Sequence, residues 1–348
     1  MTPLEQRIRD TIRVNGPMPV SLFMLMCLHD PSHGYYAVCP GFNRDFTTAP
    51  ETSQVFGELI GLWAAHEWTS LGSPSPFWLI ELGPGRGVMM ADMLRAARAA
   101  PGFLDAARVA LVEASPALRR EQDERLTAYH VQHFSDLDAV PPGPALIVAN
   151  EFLDCLAIRQ YVRDGNRWRE RAIGLSGAGR LSFGIGMPAD PPGDVIPVGD
   201  ALEVSPGLES FSEIVARRFR ADPGRALVLD YGPDDRSPGD TLRAYRVGAQ
   251  VDPLDEPGAC DLTADVDFPR LRRLCESEGL AVHGPLQQGY FLTRLGALER
   301  GRALAAANPA SAEEILAGVR KLTAPEHMGA RFKAVCLAPH GSPAPAGF

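Results

Sequence analysis

The sequence predicts an α/β protein built on a Rossmann-like, doubly wound parallel sheet, and three observations carry that prediction. From residue 77 the chain alternates short runs that are apolar throughout (FWLIEL, RVALVEAS, VQHF, PALIVANEFLD) with amphipathic stretches (VMMADMLRAARAA, PALRREQDERL). Strands buried on both faces and joined by helices belong to parallel sheets. The first run passes into the first helix through LGPGRG, with glycines at positions 83, 85 and 87. Glycine tolerates positive φ and lets another molecule approach the backbone. Finally, 348 residues of which 45% are hydrophobic can fill one large core or two ordinary ones.

The remaining elements follow in order. Residues 2–28 read as two helices divided by Asn15-Gly16-Pro17, the second (VSLFMLMCLHD) apolar nearly all round and so buried. The stretch DPSHGYYAVCPGFNRDFTTAPETS is too long for an ordinary connection, which marks it as functional. Thr52 or Ser53 caps a helix over about 54–69, and LGSPSPF closes an N-terminal helical region, 1–75. The first part of the sheet core occupies 76–158. A β-rich insertion is read at 159–205 from the DG turn in RQYVRDGNRWRERAIGL and its echo in LSGAGRLSFGI. The rest of the core and a substrate-covering α/β region take 206–340: helix SFSEIVARRFRA, strand RALVLDYG, an irregular loop 232–267, helices FPRLRRLCESEGL and AEEILAGVRKL, and a last strand FKAVCLA. Residues 341–348 read as a flexible tail.

Composition removes several function classes. A net charge of −9 gives no global reason to bind nucleic acid or an anionic membrane. No stretch approaches the roughly 20 apolar residues of a spanning helix, and MTPLEQRIRDTIRVNG reads as a structural helix and not a targeting segment. The six cysteines, Cys27, Cys39, Cys155, Cys260, Cys275 and Cys336, form no CxxC pair. A disulfide framework or zinc site is therefore not expected, and a cytoplasmic setting is. The eight histidines show no ligand spacing, so no metal is expected, although His33 in the long loop and His133 at the end of VQHF are worth locating. No nucleophile elbow or Walker loop is present.

What could the glycines hold? A dinucleotide fingerprint needs a third glycine at 88, where this chain has Val88. The acid Glu81, two residues before Gly83, suits S-adenosylmethionine (SAM), whose ammonium needs an acidic or carbonyl partner. Glu113, closing VALVE, is placed to accept from both ribose hydroxyls. Plainer readings stand beside these: Gly83-Pro84-Gly85-Arg86-Gly87 as only a tight turn, and Glu113 as a helix cap. The fourth strand ends in Asn150-Glu151-Phe152-Leu153-Asp154. Glu151 and Asp154 share a face if a helical turn begins there, and two carboxylates match a guanidinium fork. Against this, Asp154 would cap a helix and Glu151 would be solvated. Asn150 would turn the chain or hold the cofactor. Asp45 and Glu51 in RDFTTAPE form a second acidic pair.

The ordered set GYY (34–36), DFTTAPETSQVFGELIGLW (45–63), ELGPGRG (81–87), LVEASPALRREQ (111–122), NEFLD (150–154), LDYG (229–232), TLRAYR (241–246), DLTADVDF (261–268) and MGARFKAVCL (328–337) resembles the MidA-like family. That family comprises SAM-dependent methyltransferases, among them the mitochondrial arginine methyltransferase of complex I assembly. The resemblance implies a class I methyltransferase fold. It implies methylation of an arginine in a respiratory complex I subunit or its bacterial counterpart. Carried over by position, Gly83, Pro84, Gly85 and Gly87 cradle SAM between Glu81 and Glu113. Asn150, Glu151 and Asp154 line the reacting end, Asp45 and Glu51 close the pocket, and 230–267 helps form the acceptor side. The chain departs from the family pattern at Arg44, at Ala157 and near Gly248, where glycine, proline and histidine are usual. The rival expectations are a non-catalytic SAM-binding assembly factor, a methyltransferase with a small-molecule acceptor, and an NAD-dependent oxidoreductase.

Overall fold

Runs such as Ala-Leu-Ile-Val-Ala at 145–149 offer no polar face to water. In the computed structural model, which describes residues 1–38, 47–195 and 199–348, they become central strands of a seven-stranded sheet. Its strands are β1 (Phe77–Leu82), β2 (Ala107–Val112), β3 (Val131–Phe134), β4 (Ala145–Asn150), β5 (Gly224–Tyr231), β6 (Leu280–Gln287) and β7 (Phe332–Pro339). Their spatial order is β6-β7-β5-β4-β1-β2-β3. Neighbours from β3 to β5 are parallel. The last strand, β7, runs antiparallel between β5 and β6. Chain order reverses at the β1–β4 boundary, and ligands of open α/β sheets bind outside the carboxyl ends of strands at such a switch point.

The helices expected around the sheet form for the expected reasons. Helix α1 (Gln54–Ser70) is capped by the Ser53 hydroxyl, which accepts from the Val55 N–H at 3.3 Å. Helix α2 (Val88–Ala97) follows the glycine turn. Helix α3 (Pro116–Arg125) begins at Ser115, whose hydroxyl accepts from the Leu118 N–H. Helices α1 and α2 pack closely because α1 carries Gly57 and Gly61. A Cβ on Gly61 would lie 2.4 Å from the Met93 carbonyl oxygen, so no larger residue fits. Trp63, Phe77, Phe103, Met90 and Met93 fill the core beneath.

The chain divides into two units, each built from separated segments. The sheet unit comprises 47–152, 211–231 and 274–348. The other comprises 1–46, 153–210 and 232–273, so the chain leaves the sheet unit after β4 and again after β5. In that second unit the two N-terminal helices are Pro3–Asn15, capped by Thr2 and ended at Gly16, and Val20–His29. They pack Leu4, Ile8, Phe23 and Met24 on Ile158, Ile173 and Leu262. The predicted β-rich insertion is present as antiparallel strands Arg159–Asp164, Arg167–Leu175, Leu181–Pro188 and Ala201–Val204.

Two expectations are corrected. The loop 232–267 is not wholly irregular: Arg243–Arg246, Ala249–Val251 and Asp261–Thr263 form a small antiparallel sheet. Its two-residue hairpin places both Val247 and Gly248 at positive φ. That turn normally announces itself as Asn-Gly or Asp-Gly, and valine hid it. The segment 341–348 is tied down: the Glu67 carboxylate accepts from the Ala346 N–H at 2.8 Å, Arg225 donates to the Pro343 carbonyl, and Phe348 packs on Phe291. Cys27, Cys275 and Cys336 are free thiols.

Arg225 and Glu67, which anchor that terminus, form a fully buried ion pair at 3.2 Å. Removing one partner leaves a buried charge unpaired. Arg225→Met is expected to cost about 3–5 kcal/mol in urea unfolding, far more than the loss of a surface ion pair.

Candidate active site

Three glycines set the backbone of the site. Gly83, Gly85 and Gly87 have φ of 61°, 52° and 74°, a left-handed region that costs other residues strain. Two bonds fix the turn: Gly83 N–H donates to the Val112 carbonyl at 3.0 Å, and Gly87 N–H to the Pro84 carbonyl at 2.8 Å. Gly87, the N-cap of α2, supplies no side chain to the first N–H groups of the helix, of which that of Met90 is taken by Glu81, and the first turn of α2 carries no acid. Such a helix start favours a bound anionic group. A Cβ on Gly83 would meet the Phe152 ring at 3.0 Å. Phe152 is itself placed by Asp230 at the end of β5, whose carboxylate accepts from the Phe152 N–H at 3.1 Å.

Acids flank the turn. Glu81 on β1 is 2% exposed, and its Oε2 has no hydrogen-bond partner among the described residues. Burial, reinforced by the charge of Glu113 and opposed by the Met90 N–H, raises its pKa well above the ordinary 4.5. Glu113, one residue past β2, is also buried; its Oε1 accepts from the Ser115 N–H at 2.8 Å. Burial raises its pKa as well, against the lowering pull of the Ser115 N–H and Gln122. The Glu113 carbonyl in turn accepts from Arg119 at 2.7 Å, which fixes the peptide that carries the acid.

At the end of β4 the helical turn predicted over Glu151 and Asp154 is absent. The Glu151 N–H donates to the Leu229 carbonyl at 2.9 Å, which extends the β4–β5 ladder and prevents a helix from starting. Glu151 then takes a φ of 49°. Strain of this kind in a residue other than glycine persists where surrounding structure enforces it, and it clusters at functional sites. Its Oε1 accepts from the Ala49 N–H at 3.0 Å and from Asn150 Nδ2 at 3.2 Å. Asn150 Oδ1 is buried without a partner among the described residues. Asp154 belongs to the other unit, where its Oδ2 accepts from the Thr263 hydroxyl at 2.9 Å and its carbonyl from the Ala264 N–H at 3.0 Å. Glu51 is on the short helix Ala49–Thr52, 3.9 Å from Arg86 of the glycine turn. Asp45 lies outside the described residues. His133 pairs with Asp123 at 2.9 Å, and no group of side chains among the described residues has the makings of a metal site.

Sequence reasoning missed Arg86, Arg119 and Gln122. Arg86 joins Glu51 to Glu121 on α3, 3.0 Å away, but nothing in GPGRG distinguishes it from a solvated arginine. Gln122 did leave a signal: with Leu118 and Leu126 it forms the buried i, i+4, i+8 stripe at α3, a polar residue where an apolar one is expected.

The fit to an adenosyl amino acid is chemical. Buried acceptors without donors at Glu81 and Asn150 suit an ammonium group, Glu113 retains lone pairs for a diol, and the glycine turn admits a ligand to the backbone. A sheet with β7 reversed between β5 and β6, carrying this site, defines a class I SAM-dependent methyltransferase. Residues 59–286 match the family model described as S-adenosyl-L-methionine-dependent methyltransferase, and the chain belongs to that family. It is 36% identical to the protein arginine methyltransferase NDUFAF7 homolog of Drosophila melanogaster, over 97% of this chain and 85% of that one. The human protein arginine methyltransferase NDUFAF7 is 33% identical, over 98% and 84%. A COG1565 superfamily member from Burkholderia thailandensis, solved with S-adenosyl-homocysteine bound, superposes with a TM-score of 0.85 at 26% identity, covering 99% of this chain and 93% of that one.

Two outcomes are expected. Gly83→Ala, strained and pressed on Phe152, should lower stability by about 1–2 kcal/mol and weaken S-adenosylhomocysteine binding at least tenfold in calorimetry. Because the folded-state pKa of Glu81 is raised, its contribution to stability is present below pH 4.5 and lost as pH rises from there. Ligand-free Glu81→Gln should therefore gain melting temperature over the wild type as pH increases, with the gap closing in acid.

Proposed function

We propose that the protein methylates an arginine side chain of a protein, the acceptor being a respiratory complex I subunit or its bacterial counterpart. The observation that carries this reading is Glu151, a carboxylate held at the end of β4 on strained backbone and oriented by the Ala49 N–H and Asn150. The names of the curated relatives support the choice of arginine, and the resemblance to the MidA-like family supports complex I.

In this reading Gly83, Pro84, Gly85 and Gly87 cradle the cofactor, Glu81 and Asn150 meet its ammonium, and Glu113 accepts from its ribose hydroxyls. When bound, SAM would supply an electrophilic sulfonium methyl to an arginine nitrogen, the S–CH3 bond breaking as the N–CH3 bond forms, with S-adenosylhomocysteine leaving and one guanidinium N–H proton lost. A guanidinium is a poor nucleophile because its lone pairs are delocalised and it stays protonated. Glu151 pairs with a nitrogen that does not attack and concentrates positive charge there, which leaves electron density on the attacking nitrogen; the family resemblance adds Asp154 as a second required carboxylate. Alignment and fixed charge in a closed site then supply most of the acceleration.

The test is to incubate the protein with methyl-labelled SAM and extract of cells lacking its gene, then to hydrolyse the labelled material. Label on arginine in a protein band is the expected result, and the mass of that band identifies the subunit. Label on a small molecule instead would make the acceptor a metabolite, and SAM binding with no labelled product would point to a non-catalytic assembly factor. Glu151→Gln and Asp154→Asn should each lower transfer by at least 100-fold, on the order expected for lost charge stabilisation, with S-adenosylhomocysteine affinity within about threefold. Activity retained in both variants would overturn the assignment.

A further inference from the structure

Gln122 has no solvent exposure, yet it carries an amide among the buried residues of α3. Its Nε2 donates to the Gly85 carbonyl at 2.6 Å and stands 3.5 Å from Glu113 Oε2. A carbonyl can only accept, so this bond fixes which end of the amide faces the glycine turn. Oε1 is left buried with no donor among the described residues. The side chain also backs the turn sterically: a Cβ on Gly87 would lie 3.4 Å from Gln122 Cγ. Leucine or methionine would fill this space without the cost of burying an amide, so packing alone does not account for glutamine.

We propose that Gln122 is a positioning residue for the cofactor, locking the glycine turn and the ribose-binding acid into one preorganised surface. Pinning the Gly85 carbonyl toward α3 turns the N–H of the same trans peptide, on Arg86, the opposite way. The second contact of the amide orients Glu113. Ser115 N–H engages Oε1, the Ala114 N–H also reaches the carboxylate, and Gln122 approaches Oε2, so these contacts set the direction in which its remaining lone pairs face. One residue thus sets both the shape of the turn and the direction of the acid. The inference rests on the assignment of Glu113 to the ribose.

Calorimetric titration with S-adenosylhomocysteine and its 2′-deoxy and 3′-deoxy analogues tests it, on the wild type, Glu113→Gln, Gln122→Met and Gln122→Asn. The wild type should bind the parent ligand at least ~10-fold more tightly than either analogue. Gln122→Met should lose affinity for the parent ligand by ~10-fold, and its discrimination against the analogues should collapse to under ~3-fold, as in Glu113→Gln. Gln122→Asn, whose shorter amide cannot reach Gly85, should follow it and serves if the methionine variant does not fold. Wild-type affinity in the variants, or an equal loss for all three ligands with discrimination kept, would reduce Gln122 to packing and overturn the proposal. A wild type that does not discriminate would remove the ribose role of Glu113 and this inference with it, an outcome distinct from retained discrimination in the variants.

Discussion

A carboxylate buried at the end of a central strand without a full set of partners imposes the arrangement around it. Glu81 has an acceptor that no described protein group satisfies, and burial makes it reluctant to ionise. Such a group is tolerable where a ligand completes it. The turn after β1 keeps the space open through glycines at positive φ. Its walls are set from outside: Asp230 orders Phe152 against Gly83, and α3 presents Gln122 beneath Gly85. The sheet therefore supplies, beyond its core, strand ends that are held by one another and by α3.

Both excursions of the chain out of the sheet unit follow a parallel strand, the first after β4 and the second after β5. Loops at the carboxyl ends of such strands are where α/β proteins place specificity. The strained Glu151 closes β4, with only Phe152 between it and the point at which the first excursion begins. A rigid ladder thus ends, within two residues, in the segment that belongs to the second unit.

Most of the sheet was legible because its strands are apolar throughout, and of the two caps offered for the helix at 54–69, Thr52 and Ser53, Ser53 is the one that caps it. The glycine turn and the two acids beside it were legible for the same local reason. What escaped depended on distant partners. The helical turn expected at Glu151 fails because Leu229, 78 residues on, takes its N–H into the sheet. The terminal residues look flexible in a sequence rich in Pro and Gly, and they are held by Glu67 and Arg225 from other elements. The Val247-Gly248 hairpin violates the usual turn chemistry.

The place of β7 has a consequence for synthesis. Residues 332–339 follow β6 in the chain, yet they lie between β5 and β6, and among the described residues β6 is joined to the sheet only through them. A nascent chain in which β6 is made and 332–339 is not would leave the β5 edge open and β6 without a partner in the sheet. Exposed edges of this kind are prone to association with other chains. The sheet can close only once 332–339 is inserted, so a chain cut between β6 and residue 332 keeps an unpaired edge in place of a finished sheet.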